Sequence, residues 1–162
     1  MAHQVLFVCT GNTCRSPMAE ALLRAALPDG SGWRVTSAGT DTINGFGASS
    51  YAIDALAEKG FDLKPHRSRL LTHELAGESA VIVAMTQHHA QQVGACFPGC
   101  RDRIHLMRSF DPAAPRQGDV CDPFGGTMAD YRACCALLQK SIPGLLRFLD
   151  EQDKPPFRNT PL

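Results

Sequence analysis

The chain has no net charge, no long apolar run and no second thiol pair at metal-binding spacing, and each absence narrows what it can do. Sixteen basic and sixteen acidic residues cancel to a formal charge of zero. Bulk attraction to nucleic acid or to an anionic membrane is therefore not a basis for its function. No window approaches the roughly 18 consecutive apolar residues of a membrane-spanning helix. The opening stretch MAHQVLFVCTGN lacks a basic start, and its apolar run is too short for a secretion signal. A cytoplasmic location is expected, with no nucleic-acid or membrane partner. The pair Cys96 and Cys100 in CFPGC has no companion at zinc-finger spacing. There is no internal repeat, no low-complexity segment and no glycine-rich loop ending in Gly-Lys-Ser/Thr.

What is present fits one globular domain. The 162 residues, 44% hydrophobic and 20% charged, suffice for a single buried core. Residues 1–152 read as that domain and 153–162 as a flexible C-terminal tail. Seven cysteines in a reducing compartment call for roles other than disulfides. Cys134 and Cys135 fall in an apolar helical pattern and read as small core residues.

Apolar or alternating runs at 4–8, 33–39, 80–85 and 103–107 predict strands. Helical patterns lie between them: one from Pro17 with Ser16 as its cap, one ended by Gly60, a short one from Thr72 and one over TQHHAQQVGACF. A final helix starts near Thr127, and Pro143 is expected to kink or break it. Such alternation predicts an α/β fold, a mainly parallel sheet covered on both faces. Right-handed crossovers then bring the loops that follow strands to one edge of the sheet. The loops 9–16 and 109–126 should therefore face the same crevice. His3, His73, His88, His89 and His105 read as surface or helix-end residues.

The chemistry concentrates in VCTGNTCRSP, residues 8–17. A loop between a buried strand and a helix N-terminus offers unpaired N–H groups at the positive end of the helix dipole. Gly11 lets that backbone curl around a phosphate-sized oxyanion. The same field stabilises a thiolate, so a lowered pKa and a nucleophilic thiol are expected at Cys9. Arg15 supplies a guanidinium that grips two phosphoryl oxygens at once.

These residues carry a resemblance. VCTGNTCRSPMAEALL is similar to the active-site loop of the low-molecular-weight protein tyrosine phosphatase family, and SAG (37–39), HRSR (66–69) and DPFGG (122–126) follow in order. The resemblance covers residues 4–150 and implies a doubly wound, three-layer α/β/α fold with a four-stranded parallel sheet in order 2-1-3-4. It implies that Cys9 attacks phosphorus while Arg15 and the loop Thr10, Gly11, Asn12, Thr13, Cys14, Arg15 and Ser16 hold the phosphoryl oxygens. Asp122 would protonate the leaving group and then activate water. Ser16 would stabilise the thiolate, and Ser16, Ser37 and His66 would hold Asn12 in the strained loop. No metal and no cofactor is implied; the partners are phosphorylated proteins and the state a monomer. FDPAA offers Asp111 as a second Asp-Pro acid.

Departures from the tyrosine pattern point further. Thr13 stands where a bulky aliphatic residue is usual, and the rim offers only Phe46 and Phe124. CTGNTCRSPMAE with DPFGG resembles the protein-arginine phosphatase branch, in which the threonine filters substrates. The expected activity is therefore phosphoarginine hydrolysis through a cysteinyl-phosphate. Alternatives are phosphotyrosine hydrolysis, thioredoxin-coupled arsenate reduction using Cys96 and Cys100, and phosphoprotein binding without turnover. Cys14, five residues from Cys9, would form a protective disulfide with it under peroxide.

Overall fold

A computed structural model describes residues 3–153; the rest of the expected tail, residues 154–162, lies outside the described residues. The apolar run QVLFV becomes the middle of β1 (His3–Cys9), which is buried from Gln4 onward. Beside it lie β2 (Trp33–Gly39), β3 (Val81–Ala84) and β4 (Ile104–Leu106). All pairings are parallel and the order is β2-β1-β3-β4, the order that the resemblance implies. The helices are α1 (Arg15–Ala26), α2 (Ser50–Ala57), α3 (His73–Glu78), α4 (Gln87–Cys96) and α5 (Met128–Asp153). No described helix is long and apolar enough to cross a membrane.

Successive side chains of β1 leave on opposite faces of the sheet, and they divide the core in two. Val5, Phe7 and Cys9 pack with Met18 and Leu23 of α1, Leu56 of α2, and Leu138 and Leu145 of α5. Leu6 and Val8 meet Ala76 of α3 and Val93 of α4 in a smaller cluster. The result is three layers, with helices on both faces. The central β1 sends its connection towards β2 on one side, while β3 and β4 lie on the other. A crevice opens at the carboxyl end of the strand where such a sheet reverses direction, and here that strand ends in Cys9.

Local chemistry sets several helix starts. Thr72 and Thr86 cap α3 and α4, their hydroxyls accepting from the N–H groups of Leu75 and His89. Before α5, Thr127 and Asp130 cap reciprocally: Thr127 N–H donates to Asp130 Oδ2 at 2.7 Å and Asp130 N–H to Thr127 Oγ1 at 3.3 Å. The Thr127 N–H and hydroxyl, both donating to Oδ2, hold the Asp130 carboxyl below its ordinary pKa.

Two expectations need correction. Ser16 does not cap α1: that helix starts at Arg15 with Cys14 at the N-cap position and no side-chain cap, and Ser16 lies within its first turn. Nor does Pro143 break the last helix, which continues through it for a total of 26 residues. A proline inside a helix costs about 3 kcal/mol, whereas each fully buried leucine or isoleucine contributes about 1.5–3 kcal/mol. Leu138, Ile142, Leu145 and Leu149 flank Pro143 and are all buried, so packing outweighs the lost hydrogen bond.

Gly144 lets this stretch lie directly on the 3-10 turn Met107–Phe110, since a Cβ there would collide with the Phe110 carbonyl oxygen. Gly144→Ala should therefore lower the unfolding free energy by about 1–3 kcal/mol, read as a reduced urea midpoint. An unchanged midpoint would show that the turn moves aside freely.

Candidate active site

Cys9 closes β1 opposite Gly39 of β2 and is only 2% exposed. Beyond it the chain curls through residues 10–14 into α1. The outer side of the curl is tied down: Thr40 N–H donates to Cys9 O at 2.9 Å, Asp41 N–H to Thr10 O at 3.0 Å and Ser49 N–H to Thr13 O at 2.9 Å. Among the described residues, the amides of residues 11–16 donate to no oxygen. A run of unpaired donors at a helix N-terminus is an oxyanion cradle. Gly39 admits the curl, because a Cβ there would stand 2.5 Å from Thr10 O and 3.2 Å from Asn12 Cβ.

Asn12 is the hinge of the curl. It has a φ of 54°, the one non-glycine residue in the left-handed region among the described residues, and it is fully buried. Asparagine tolerates that conformation better than most residues, and its side chain is fully engaged. Nδ2 donates to Ser16 Oγ and Ser37 Oγ, both at 2.9 Å, and Oδ1 accepts from Arg69 N–H at 2.9 Å. His66 Nε2 donates to its carbonyl at 2.7 Å. Ser37 Oγ in turn donates a hydrogen bond to Glu20 Oε2 at 2.5 Å, and Glu20 pairs with Arg24. The resemblance implies Ser16, Ser37 and His66 around Asn12; the structure adds Arg69, and Glu20 behind Ser37.

Ser16 Oγ lies 2.8 Å from Cys9 Sγ. Its oxygen accepts from Asn12, so its proton is available to the sulfur. The Ser16 hydroxyl, the Ser16 and Asn12 amides and the Arg15 guanidinium all favour the thiolate. Complete burial opposes them and prevails, pushing the Cys9 thiol above its ordinary value. This reverses the lowered pKa expected from sequence, which displays the stabilising groups but not the depth of burial.

Arg15 is also buried, at 4% exposure. Nη1 donates to the Val120 carbonyl at 3.0 Å, and Nη2 pairs with Asp122 Oδ2 at 3.3 Å. Val120 N–H in turn donates to Met85 O at 2.8 Å, which fastens the 108–127 connection to the end of β3. The guanidinium is thus oriented before any ligand arrives. Asp122 is half-exposed, and its Oδ1 accepts from Phe124 N–H at 3.1 Å.

Cys9, Thr10, Gly11, Thr13, Cys14, Arg15, Asp122 and Phe124 line one cavity of about 210 Å³. Asp111 lies outside this lining, buried in its own turn with Oδ1 accepting from Ala113 N–H at 2.9 Å. Phe124 is 75% exposed at the rim, whereas Phe46 stands exposed on the 40–49 loop and does not line the cavity. Cys14 Sγ sits 3.2 Å from Ser49 Oγ and 3.4 Å from Tyr131 Oη. Burial and the Cys14 contact push the Tyr131 phenol up to about 12, so it remains an O–H group at neutral pH. Cys96 ends α4 and Cys100 is buried against the Ala76 carbonyl; neither lines the cavity. A larger groove of about 750 Å³ runs beside β2, but no thiol and no histidine lines it. Chemistry rather than size marks the site.

One expectation about histidine fails. His89 is buried at 2% exposure rather than placed on a surface, with Nε2 2.8 Å from Thr10 Oγ1. Burial first, then the charges of Arg15 and His88, push its pKa down to about 4. The signal lay in the three-residue spacing of Thr86 and His89, a cap spacing directly after a strand.

The comparisons agree with this geometry. The family model described as low molecular weight phosphotyrosine protein phosphatase matches residues 4–155. A protein-arginine-phosphatase of Geobacillus stearothermophilus is 39% identical over 153 residues, covering 94% of this chain and 99% of the relative. A low molecular weight protein-tyrosine-phosphatase of Streptomyces coelicolor is 37% identical over 159 residues, covering 94% and 96%. Among solved structures, a YwlE arginine phosphatase mutant with a phosphorylated active-site serine superposes with a TM-score of 0.85. It is 36% identical, over 93% of this chain and 97% of that one.

Removing the Ser16 hydroxyl takes away a contact that favours the thiolate. In Ser16→Ala the pH midpoint for alkylation of Cys9 by iodoacetate should move upward from that of the unmodified protein. A midpoint that stays in place would show that Ser16 does not stabilise the sulfur.

Proposed function

This chain belongs to the low molecular weight phosphotyrosine protein phosphatase family, and from that premise we propose that it hydrolyses phosphoarginine on proteins. The observation that carries the choice is Thr13, which lines the cavity together with Cys9 and Asp122. A guanidinium is planar, cationic and rich in N–H donors. A hydroxyl and a carboxylate beside the nucleophile can accept its N–H groups, whereas a phenyl ring has no donors to offer them. The similarity to protein-arginine phosphatases supports the same reading. The exposed ring of Phe124 at the rim favours a second reading, phosphotyrosine hydrolysis.

The chemistry runs in two displacements. Cys9, ionised against its burial by the Ser16, loop-amide and Arg15 contacts, attacks phosphorus in line as the thiolate, forming an S–P bond as the P–N bond to the substrate guanidine breaks. Asp122 donates a proton to the departing nitrogen, and the loop amides and Arg15 hold the equatorial oxygens. The Asp122 carboxylate then takes a proton from water attacking the cysteinyl-phosphate, which releases inorganic phosphate and the thiolate. Binding Arg15 in advance on Val120 O and Asp122 removes the rotamer entropy that a free arginine would lose on gripping phosphate. When Asp122 is protonated for its acid role, Arg15 loses the ion pair and gains a ligand oxygen in exchange.

The cysteines extend the proposal. All seven are free thiols, which suits the reducing cytoplasm. Cys9 and Cys14 line the same cavity, and peroxide would join them in a disulfide that protects Cys9 from over-oxidation. In Cys14→Ser, recovery of activity by a thiol reductant after peroxide should fall; unchanged recovery removes that role.

The deciding measurement is kcat/KM on matched phosphoarginine and phosphotyrosine peptides, with Cys9→Ser as the blank. Phosphoarginine should be preferred, and Thr13→Ile should move the preference towards phosphotyrosine. A phosphotyrosine preference in the unmodified protein would establish the second reading. Asp122→Ala should lose about 10²–10⁴-fold in turnover and Asp111→Ala little; equal losses would reassign the acid.

A further inference from the structure

A buried imidazole needs both ring nitrogens satisfied, and His89 achieves this with two threonines. Nδ1 lies 2.9 Å from Thr86 Oγ1, and Nε2 lies 2.8 Å from Thr10 Oγ1. A neutral ring has one N–H donor and one bare acceptor, so one threonine must give a proton and the other must take one. Thr86 favours one assignment. Its oxygen already accepts the His89 backbone N–H at 3.1 Å as the cap of α4, which leaves its own proton free to go to Nδ1. With Nδ1 as the acceptor, Nε2 carries the hydrogen and Thr10 Oγ1 accepts it. Once its oxygen is occupied from the α4 side, the Thr10 hydroxyl proton turns away from the ring. Thr10 lines the cavity beside Cys9.

We propose that His89 is a positioning residue for phosphoryl transfer: by donating Nε2–H to Thr10 Oγ1 it aims the Thr10 hydroxyl proton into the Cys9 cavity, where it bonds a phosphoryl oxygen. The inference rests on the phosphatase reading and adds a side-chain donor to the ring of loop amides. The surroundings keep the donor pattern constant. Burial, Arg15 and His88 all disfavour a charged ring, and together they outweigh Asp122 and Asp119, which favour one. The ring therefore stays neutral over the pH range in which a cysteine phosphatase works, and the hydroxyl keeps one direction.

The test uses the full chain, with Thr10→Val to delete the hydroxyl, His89→Leu to delete the ring and His89→Gln to keep an N–H near the Nε2 position. Thr10→Val and His89→Leu should each lower kcat/KM about tenfold, and the double variant should be no worse than either alone. His89→Gln should recover most of the loss. Additive losses, or a glutamine variant as poor as the leucine one, would overturn the inference. Two readouts need no turnover. The Kd for inorganic phosphate should rise about tenfold in Thr10→Val and in His89→Leu; an unchanged Kd overturns the inference. ¹⁵N NMR of the unmodified protein should show the His89 Nε2–H tautomer at neutral pH, and an Nδ1–H tautomer overturns it even if the leucine variant does not fold. Phosphate Kd shifts as expected in a protein that turns over no phosphorylated peptide would support the positioning role and count against the phosphatase reading alone.

Discussion

The site depends on one backbone constraint, the left-handed turn at Asn12. A loop can present a run of amides towards a single point only if its chain reverses sharply, and the reversal is made by a residue that is not glycine. The conformation persists because the side chain and carbonyl of Asn12 bond to Ser16, Ser37, Arg69 and His66. The four partners come from three separate parts of the chain: α1, β2 and the 66–69 segment. The curl is therefore held by the assembled fold and not by local preference. Strain kept in this way leaves the amides 11–16 directed at a ligand rather than at one another.

Electrostatics follow from that geometry. Burial alone makes an ionised Cys9 unfavourable, and the groups that oppose burial are those the curl brings to the sulfur. Ser16 illustrates the economy of the arrangement, since one hydroxyl accepts from Asn12 and serves Cys9. Arg15, held by a carbonyl and a carboxylate, brings a full positive charge into the same small space. His89 closes the far side as a neutral ring, so that it adds hydrogen bonding without a second cation beside Arg15. A low-dielectric pocket with donors already aimed loses little to reorganisation when charge moves.

The topology explains why three distant segments meet there. With β1 central, its carboxyl end faces the connections that follow β3 and β4, and these deliver His89 and Asp122 to the loop that follows β1. The 108–127 connection is long, but Val120 pins it to Met85 and Arg15 pins it to Val120. At the other end of that connection, Gly144 of α5 rests on the Phe110 turn. The acid is thus anchored on both sides, although its carboxylate stays half-exposed.

Much of this was legible in the residues themselves. Alternating apolar runs and caps foretold four strands and the helices between them, because side-chain periodicity reports burial directly. Cys9, Gly11 and Arg15 announced an oxyanion site, because their spacing places a thiol and a guanidinium at one helix N-terminus. Other features depended on contacts between residues far apart in the chain. That α5 would continue through Pro143 was decided by burial of its neighbours, a quantity that helical propensity does not contain. That Asp122 and not Asp111 lines the cavity was decided by how the 108–127 connection is pinned. The direction of the Cys9 pKa and the burial of His89 were decided by tertiary packing as well, since desolvation depends on every element that closes around a group. Sequence by itself determined which chemistry this chain carries; the folded structure alone decided which groups reach it and at what depth, because both depend on contacts between residues far apart in the chain.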